Sequence, residues 1–369
     1  MLNCFDITDF GAVADGKTDC TQAIQAALNE AGKVQGRVIV PPGEYLCGYV
    51  HVPEHIMIQG TYAWSFAENG GSVLKLNDSE ALCLLDITGA IGCCIDGICL
   101  DGGNLGEEVH GVLIRKEDRL QFVKKAVDGV EGQSGGEDTP TITNCRIGSF
   151  TGDAVRYEKV WCFTIRNSML CYSRHGLYME GCDCFITDTW FSYNREDGVH
   201  ADFFMSGTFT GCRFECNHGN GVYMYDCGVV QFGNNYFDAN EKHGFYAAGE
   251  EEDFRGNLNF NGNIFYRSGY DLSGKKREKD DSHSHISVAH ATNIVINGNT
   301  FAGEKRCPAY GVTIRQLRSS VVANNTFMNA SCIQNLVDLG GHKDEVVILN
   351  NTGLETLTMA GKSWPRFED

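Results

Sequence analysis

Proline is scarce in this chain, 6 of 369 residues against 44 glycines. Its turns must therefore be made by residues that tolerate left-handed backbone, and Pro-rich linkers are excluded. No stretch approaches 18 consecutive apolar residues, so no membrane-spanning helix is expected. Basic residues are in deficit, 30 Lys and Arg against 48 Asp and Glu, for a formal net charge of −18. That balance argues against nucleic acid or an anionic membrane as partner, since either needs a concentrated basic surface, and more weakly against acidic sugars, which a local basic groove can serve. The opening MLNCFDITDFGAVADG has no basic start, apolar core or small-residue cleavage site. No secretion signal is visible, and a cytoplasmic location is expected unless a leader has been trimmed. Cysteine is plentiful: there are 17, an odd number, yet Cys93-Cys94 and Cys182-x-Cys184 lack the partner pairs of a zinc site. Reduced thiols packed inside the fold are expected, Cys145 with Cys212 in one column and Cys162 with Cys184 in another, and no metal or cofactor.

What the chain does have is recurrence. One six-residue phrase returns nine times between residues 142 and 353: ITNCRI at Ile142, IRNSML at Ile165, ITDTWF at Ile186, FTGCRF at Phe209, FGNNYF at Phe232, FNGNIF at Phe260, INGNTF at Ile296, VANNTF at Val322 and ILNNTG at Ile348. A period of 21 to 23 residues, lengthened where loops are inserted, means a solenoid. Alternating apolar, β-branched and aromatic positions closed by Asn or Gly suit a short strand ending in a turn. A second strand signal lies upstream in most coils, at Gly111, Ala154, Gly176, Gly198, Gly221, Gly244 and Gly311. Stacked strands of this kind describe an all-β parallel β-helix of about 9–11 coils. Asn144, Asn167, Asn234, Asn324 and Asn350 are expected to take left-handed backbone and to hydrogen-bond along the stack.

The simplest division is one domain over residues 1–369: an N-terminal cap over 1–60, coils over 61–356 and a tail over 357–369. Within the cap, Ala23, Ile24, Ala27, Leu28 and Ala31 form a helical stripe with Asp19 or Thr18 as N-cap and Gly32 as stop. Such a helix would cover the open end of the first coil. Insertions are expected near 115–140, 248–257 and 268–284, and the charged runs Glu250–Asp253 and Lys275–Asp281 read as solvated loops.

The segments FDITDFGAVADGKTDCTQAIQAALNEA, GRVIVPPGEYL and HVPEHIMIQG, over residues 5–60, strongly resemble the pectate-lyase-like right-handed β-helix superfamily, and the repeats agree with it. The resemblance implies a right-handed helix and carbohydrate chemistry, and a homotrimer, an assembly frequent in that clan. It does not choose the reaction. Asp6, Asp9, Asp15 and Asp19 read as turn and helix caps. The polygalacturonase motifs and the Asp-Pro-His-Glu signature of mannuronan epimerases are missing. Cys99-Leu-Asp-Gly and Glu196-Asp197-Gly198-Val199 are similar to segments of the inulin fructotransferases, where Asp197 would match the catalytic Asp and the partner Glu has no counterpart.

Candidate chemistry lies where the coils align polar residues. The residue before each upstream Gly reads His110, Asp153, His175, Asp197, Asn220, His243, then Ser284 and Tyr310. Two or three places later come Arg156, Tyr178, His200, Tyr223 and Tyr246, so the two columns make a polar, aromatic stripe. Asp153 and Asp197 are two coils apart, roughly 8–10 Å, close to the separation of the acid and base in inverting glycosidases. They are the candidate catalytic pair, with His175 between them to tune their pKa values or bind a hydroxyl. Glu196, His200 and Asp202 are alternative acids, and Tyr178, Tyr223, Tyr246, Trp161 and Trp190 are candidate platforms for sugar rings. Arg156, Arg174 and His243 complete the binding set. Three readings follow: cleavage or transfer of a glycosidic bond in an oligo- or polysaccharide by carboxylate acid/base catalysis, β-elimination on a uronate with an Arg, His or Tyr base, for which Arg156 and Arg174 could serve, and a non-catalytic glycan-binding or structural spike.

Overall fold

The structure, a computed structural model, describes residues 3–116, 138–250, 256–269, 282–303, 307–328, 332–354, 357–359 and 362–364. At least half of each expected insertion, including 251–253 and the Lys275–Asp281 run, lies outside the described residues. The chain divides into two compact units, Met1–Trp190 and Phe191–Asp369. Each is a stack of coils in which a strand pairs in parallel with its equivalent one coil on. In the second unit Val222–Tyr225, Val229–Gly233 and Tyr236–Asp238 make one coil, paired with Phe245–Ala248, Asn257–Asn261 and Ile264–Tyr266 of the next. In the first unit Ile98–Asp101 pairs in the same way with Arg146–Gly148, and that strand with Met169–Cys171. Each coil thus carries three short strands, the architecture of a parallel β-helix.

The nine phrases straddle a corner instead of forming one strand. The third residue of each, Asn144, Asn167, Asp188, Gly211, Asn234, Gly262, Gly298, Asn324 and Asn350, has φ between 43° and 68°. One left-handed residue turns the chain sharply, and Asn, Asp and Gly tolerate that conformation best. The turn brings phrase positions one, four and six inward together: Ile142, Cys145 and Ile147, or Phe232, Asn235 and Phe237. In the second unit the first and last positions build two phenylalanine stacks, Phe209–Phe232–Phe260 and Phe214–Phe237–Phe265–Phe301–Phe327, with ring centroids 4.4 to 5.3 Å apart.

The fourth position carries a buried asparagine ladder. Asn235 Nδ2 donates to Phe209 O at 3.0 Å and to Asn263 Oδ1 at 3.0 Å, while Asn263 Oδ1 also accepts the Asn235 backbone N–H at 2.9 Å. The pattern repeats through Asn263, Asn299, Asn325 and Asn351. Each amide satisfies backbone groups that the corner leaves without ladder partners. Left-handed asparagines also take part in an outer ladder, Asn167 Nδ2 donating to Asn144 Oδ1 at 2.6 Å and Asn324 Nδ2 to Oδ1 of Asn297, the residue before left-handed Gly298, at 2.8 Å.

Helix α1 spans Thr21–Gly32 and buries Ile24, Ala27, Leu28 and Ala31 against Cys4–Asp6, Arg37–Ile39, Gly43–Cys47 and Val50–His51. Its caps differ from expectation. Cys20 is the N-cap residue, and Asp19 accepts from Thr21 N at 3.0 Å and Thr21 Oγ1 at 2.5 Å from one position further out. Gly32 does not stop the helix but ends it from inside, where a Cβ would stand 2.8 Å from Pro53 Cβ, so close approach is what requires glycine. Asp6 and Asp15 cap turns as expected, through Thr8 N, Lys17 N and Thr18 N. Cys145 and Cys212 are buried at the fourth phrase position and all 17 cysteines are free. The second cysteine column is corrected: Cys184 pairs with Phe163, one place out of step with Cys162. Within residues 357–369, Leu357–Met359 pairs in parallel with residues 336–338 and antiparallel with Lys362–Trp364.

Candidate functional site

The upstream strands are β1 (His110–Ile114), β2 (Val155–Arg166) and β3 (Leu177–Thr187) in the first unit. In the second they are β4 (Val199–Phe204), β5 (Val222–Tyr225), β6 (Phe245–Ala248), β7 (Ser284–Thr292) and β8 (Tyr310–Arg318). Within each unit the column preceding them holds a capping ladder, in which His110, Asp153, Asp197, Asn220 and His243 accept the backbone N–H of the next coil. In the first unit Asp153 N donates to His110 Nδ1 at 3.0 Å and His175 N to Asp153 Oδ1 at 3.3 Å. In the second, Asn220 N donates to Asp197 Oδ1 at 2.7 Å, His243 N to Asn220 Oδ1 at 3.2 Å and Ser284 N to His243 Nδ1 at 3.0 Å.

Asp153 is fully buried and holds two guanidinium groups. Arg174 Nε and an Arg174 terminal nitrogen reach its two oxygens at 2.9 and 3.0 Å, and Arg156 donates at 2.9 Å. Burial alone would raise the carboxyl pKa, but the Arg174 hydrogen bonds and the charges of His175, His110 and Arg174 outweigh it and bring it down to about 2. His110 is 3.5 Å from the same carboxylate, yet burial, with Arg156, Arg174 and Arg115 acting in the same direction, lowers its pKa to about 4. Since its Nδ1 accepts a backbone N–H, this contact joins a neutral imidazole to an ion. A permanently ionised carboxylate with no exposed surface is a poor proton carrier, so the expectation that Asp153 works as acid or base does not fit its surroundings. Its effect is to position Arg156, whose guanidinium lies 3.9 Å from the Tyr178 ring centroid and also donates to Glu158 at 2.6 Å. Arg174 reaches on to Glu108 at 2.6 Å, and Tyr178 donates to Glu180 at 2.6 Å.

In the second unit the strand register aligns His200 with Tyr223 and Tyr223 with Tyr246. The His200 and Tyr223 rings stack at 4.5 Å and 18°, and Tyr223 and Tyr246 at 5.5 Å and 15°. His200 Nδ1 is 2.9 Å from Asp197 Oδ2, and Nε2 is 3.4 Å from Asp202 Oδ2. Burial opposes charge on this imidazole, but the two carboxylates outweigh it and raise its pKa to about 9. His200 is therefore an imidazolium at neutral pH, held inside an aromatic stack. Burial, reinforced by Asp202, Tyr246 and Asp197, raises the Tyr223 pKa, so this phenol keeps its proton. Asp197 Oδ1 accepts from both the backbone and the side chain of Asn220, and Oδ2 faces His200. Asp202 is about a quarter exposed. Glu196 is exposed, and its backbone carbonyl accepts from Gly219 N at 2.8 Å. His243 stands beside Tyr246, centroids 5.2 Å apart, and its Nδ1 is taken by Ser284 N, so the neutral ring carries its proton on Nε2.

Within the first unit Arg156 is in register with Tyr178, and within the second His200 with Tyr223 and Tyr223 with Tyr246. Trp161 and Trp190 do not join the stripe: Trp161 follows the bulge in β2 and donates to Asp183 at 2.6 Å, and Trp190 starts the separate strand Trp190–Ser192. Sequence reasoning missed Glu108, Glu158 and Glu180, which complete the arginine and tyrosine contacts of the first unit. The available signal was position: Glu158 and Glu180 stand two residues after Arg156 and Tyr178, on the same outward face of a strand.

Residues 128–278 match the family model described as right handed beta helix region, and residues 4–60 match rhamnogalacturonase A/epimerase, pectate lyase-like. The fold is a pectate-lyase-like right-handed parallel β-helix. The chain is 26% identical over 263 residues to Mannuronan C5-epimerase AlgE6 of Azotobacter vinelandii, an alignment covering 68% of this chain and 24% of that protein. It is 55% identical over 42 residues to Alginate lyase 7 of the same organism, 11% of this chain and 5% of the relative. The chain thus spans at most about a quarter of the length of these relatives. Among solved structures it is similar to DFA-IIIase from Arthrobacter chlorophenolicus A6 without its lid in complex with GF2, with a TM-score of 0.70 and 13% identity over 98% of this chain and 100% of the other. These β-helix relatives are carbohydrate-modifying enzymes.

Proposed function

We propose that this β-helix is an enzyme acting on a uronate-containing polysaccharide, removing the carbon-bound proton beside the sugar carboxylate, as β-elimination and C5-epimerisation both require. The observation that carries this reading is the imidazolium of His200, held by Asp197 and Asp202 and stacked under Tyr223 and Tyr246. With the uronate carboxylate in the place of Asp202, which stands 3.4 Å from Nε2, the imidazolium N–H spreads the charge that develops when the neighbouring C–H breaks. Tyr223, which keeps its proton, is assigned the donor role, to the leaving oxygen in elimination or to the opposite ring face in epimerisation. In the first unit Arg156 and Arg174, anchored by Asp153, are a separate pair of cations suited to a carboxylate. Similarity to a mannuronan C5-epimerase and an alginate lyase supports this substrate class.

Hydrolysis or transfer of a glycosidic bond is the second reading. It would fall to Asp202, whose carboxylate reaches solvent within the stripe, because Asp153 and Asp197 are both engaged. Incubation with uronate and neutral oligosaccharides in deuterated water separates the readings. Ultraviolet absorbance of an unsaturated product, or deuterium on the sugar ring, supports proton abstraction. New reducing ends with neither signal would move the assignment to hydrolysis, and binding without any of the three would leave a glycan-binding protein.

A further inference from the structure

Near the C-terminal end of the second unit two cysteines occupy consecutive coils. β8 pairs Tyr310 with Gln334, and just before that register Ile333 N donates to Ala309 O at 2.8 Å. Cys332 Sγ lies 3.1 Å from Pro308 O, which places it beside the residue that follows Cys307. The two thiols are in hydrogen-bond contact, and both residues are partly exposed. Most other cysteines of the chain are buried, among them Cys47, Cys83, Cys145, Cys171 and Cys227.

We propose that Cys307 and Cys332 form a disulfide when the protein meets a low-molecular-weight disulfide, closing a covalent staple between the coil that begins at β8 and the coil after it. Adjacent coils suit the bond, because stacked strands lie about 4.8 Å apart and a disulfide joins Cα atoms roughly 4.4–6.8 Å apart. The contact also sets the order of events. Contact with Cys307 and burial hold the proton on Cys332, so the first attack is assigned to Cys307. The Cys307 thiolate attacks the small disulfide and expels one small thiolate. Cys332, losing its proton, then attacks the mixed disulfide and expels the second. The protein loses two S–H hydrogens, one S–S bond is exchanged for another, and two small thiols are released.

The test is treatment of the full chain with oxidised glutathione, followed by thiol titration under denaturing conditions, non-reducing peptide mapping and a thermal melt. The expected result is a fall from 17 to 15 titratable thiols, a peptide linking Cys307 to Cys332, and a raised thermal midpoint that returns to its starting value on reduction. Cys307→Ser and Cys332→Ser should each abolish both the linked peptide and the rise. Seventeen thiols after treatment, a stable glutathione adduct on either cysteine, or a bridge at another pair in the folded protein would overturn the proposal.

Discussion

Asp153 and Asp197 occupy equivalent places in the repeat, and their neighbours give them different work. Asp153→Asn removes the counter-charge from two partly buried guanidinium groups, and a loss of about 3–5 kcal/mol is expected in urea unfolding. The acid dependence follows from the lowered pKa: the stability that Asp153 contributes is present above its ordinary value of 3.8 and is lost as pH falls through about 2. His200 has the opposite sign. Its folded pKa is raised, so its contribution is complete below 6.5 and disappears as pH rises through about 9, a decline that His200→Gln should abolish in unfolding measured from pH 6 to 10. The columns holding these residues were legible in the sequence because a solenoid puts equivalent positions in register. Their charge states were not, because they depend on what lies beside each column: Arg174 reaches Asp153 from the next coil, and Asp202 reaches His200 from two residues along its own strand.

At the scale of the element, the corner carries the repeat. Asn263→Ala would leave Asn235 N and Phe232 O without their partners in a buried site, and a cost of about 3 kcal/mol or more is expected. The same change at Asn297, in the exposed outer ladder, should cost less than about 1 kcal/mol. Comparable losses at both positions in denaturant titrations would remove the corner ladder from its central place. The period and the phrase were readable because Asn, Asp or Gly recurs at the third position. That the phrase is two strands and a corner was not, since five alternating residues fit one strand equally well, and only the left-handed φ at the third residue separates the two. The α1 stripe was legible from apolar spacing, but its caps were not, because the need for glycine at Gly32 comes from Pro53, distant in sequence.

For the whole molecule, a net charge of −18 and an acidic substrate are compatible only if positive charge is local and fixed. Arg156 and Arg174 in the first unit and His200 in the second meet that condition, each tied to carboxylates of the protein. Tyr223→Phe should leave binding of a uronate oligosaccharide within about threefold while lowering turnover by roughly a hundredfold, the scale of a lost proton-transfer group, read as kcat against KM. The most direct measurement is nitrogen NMR of the His200 ring at neutral pH, with and without a uronate oligosaccharide and with a neutral one of equal length. The account predicts an imidazolium whose signals move on adding the uronate and stay in place with the neutral sugar. A neutral imidazole, or the same response to both sugars, would contradict it.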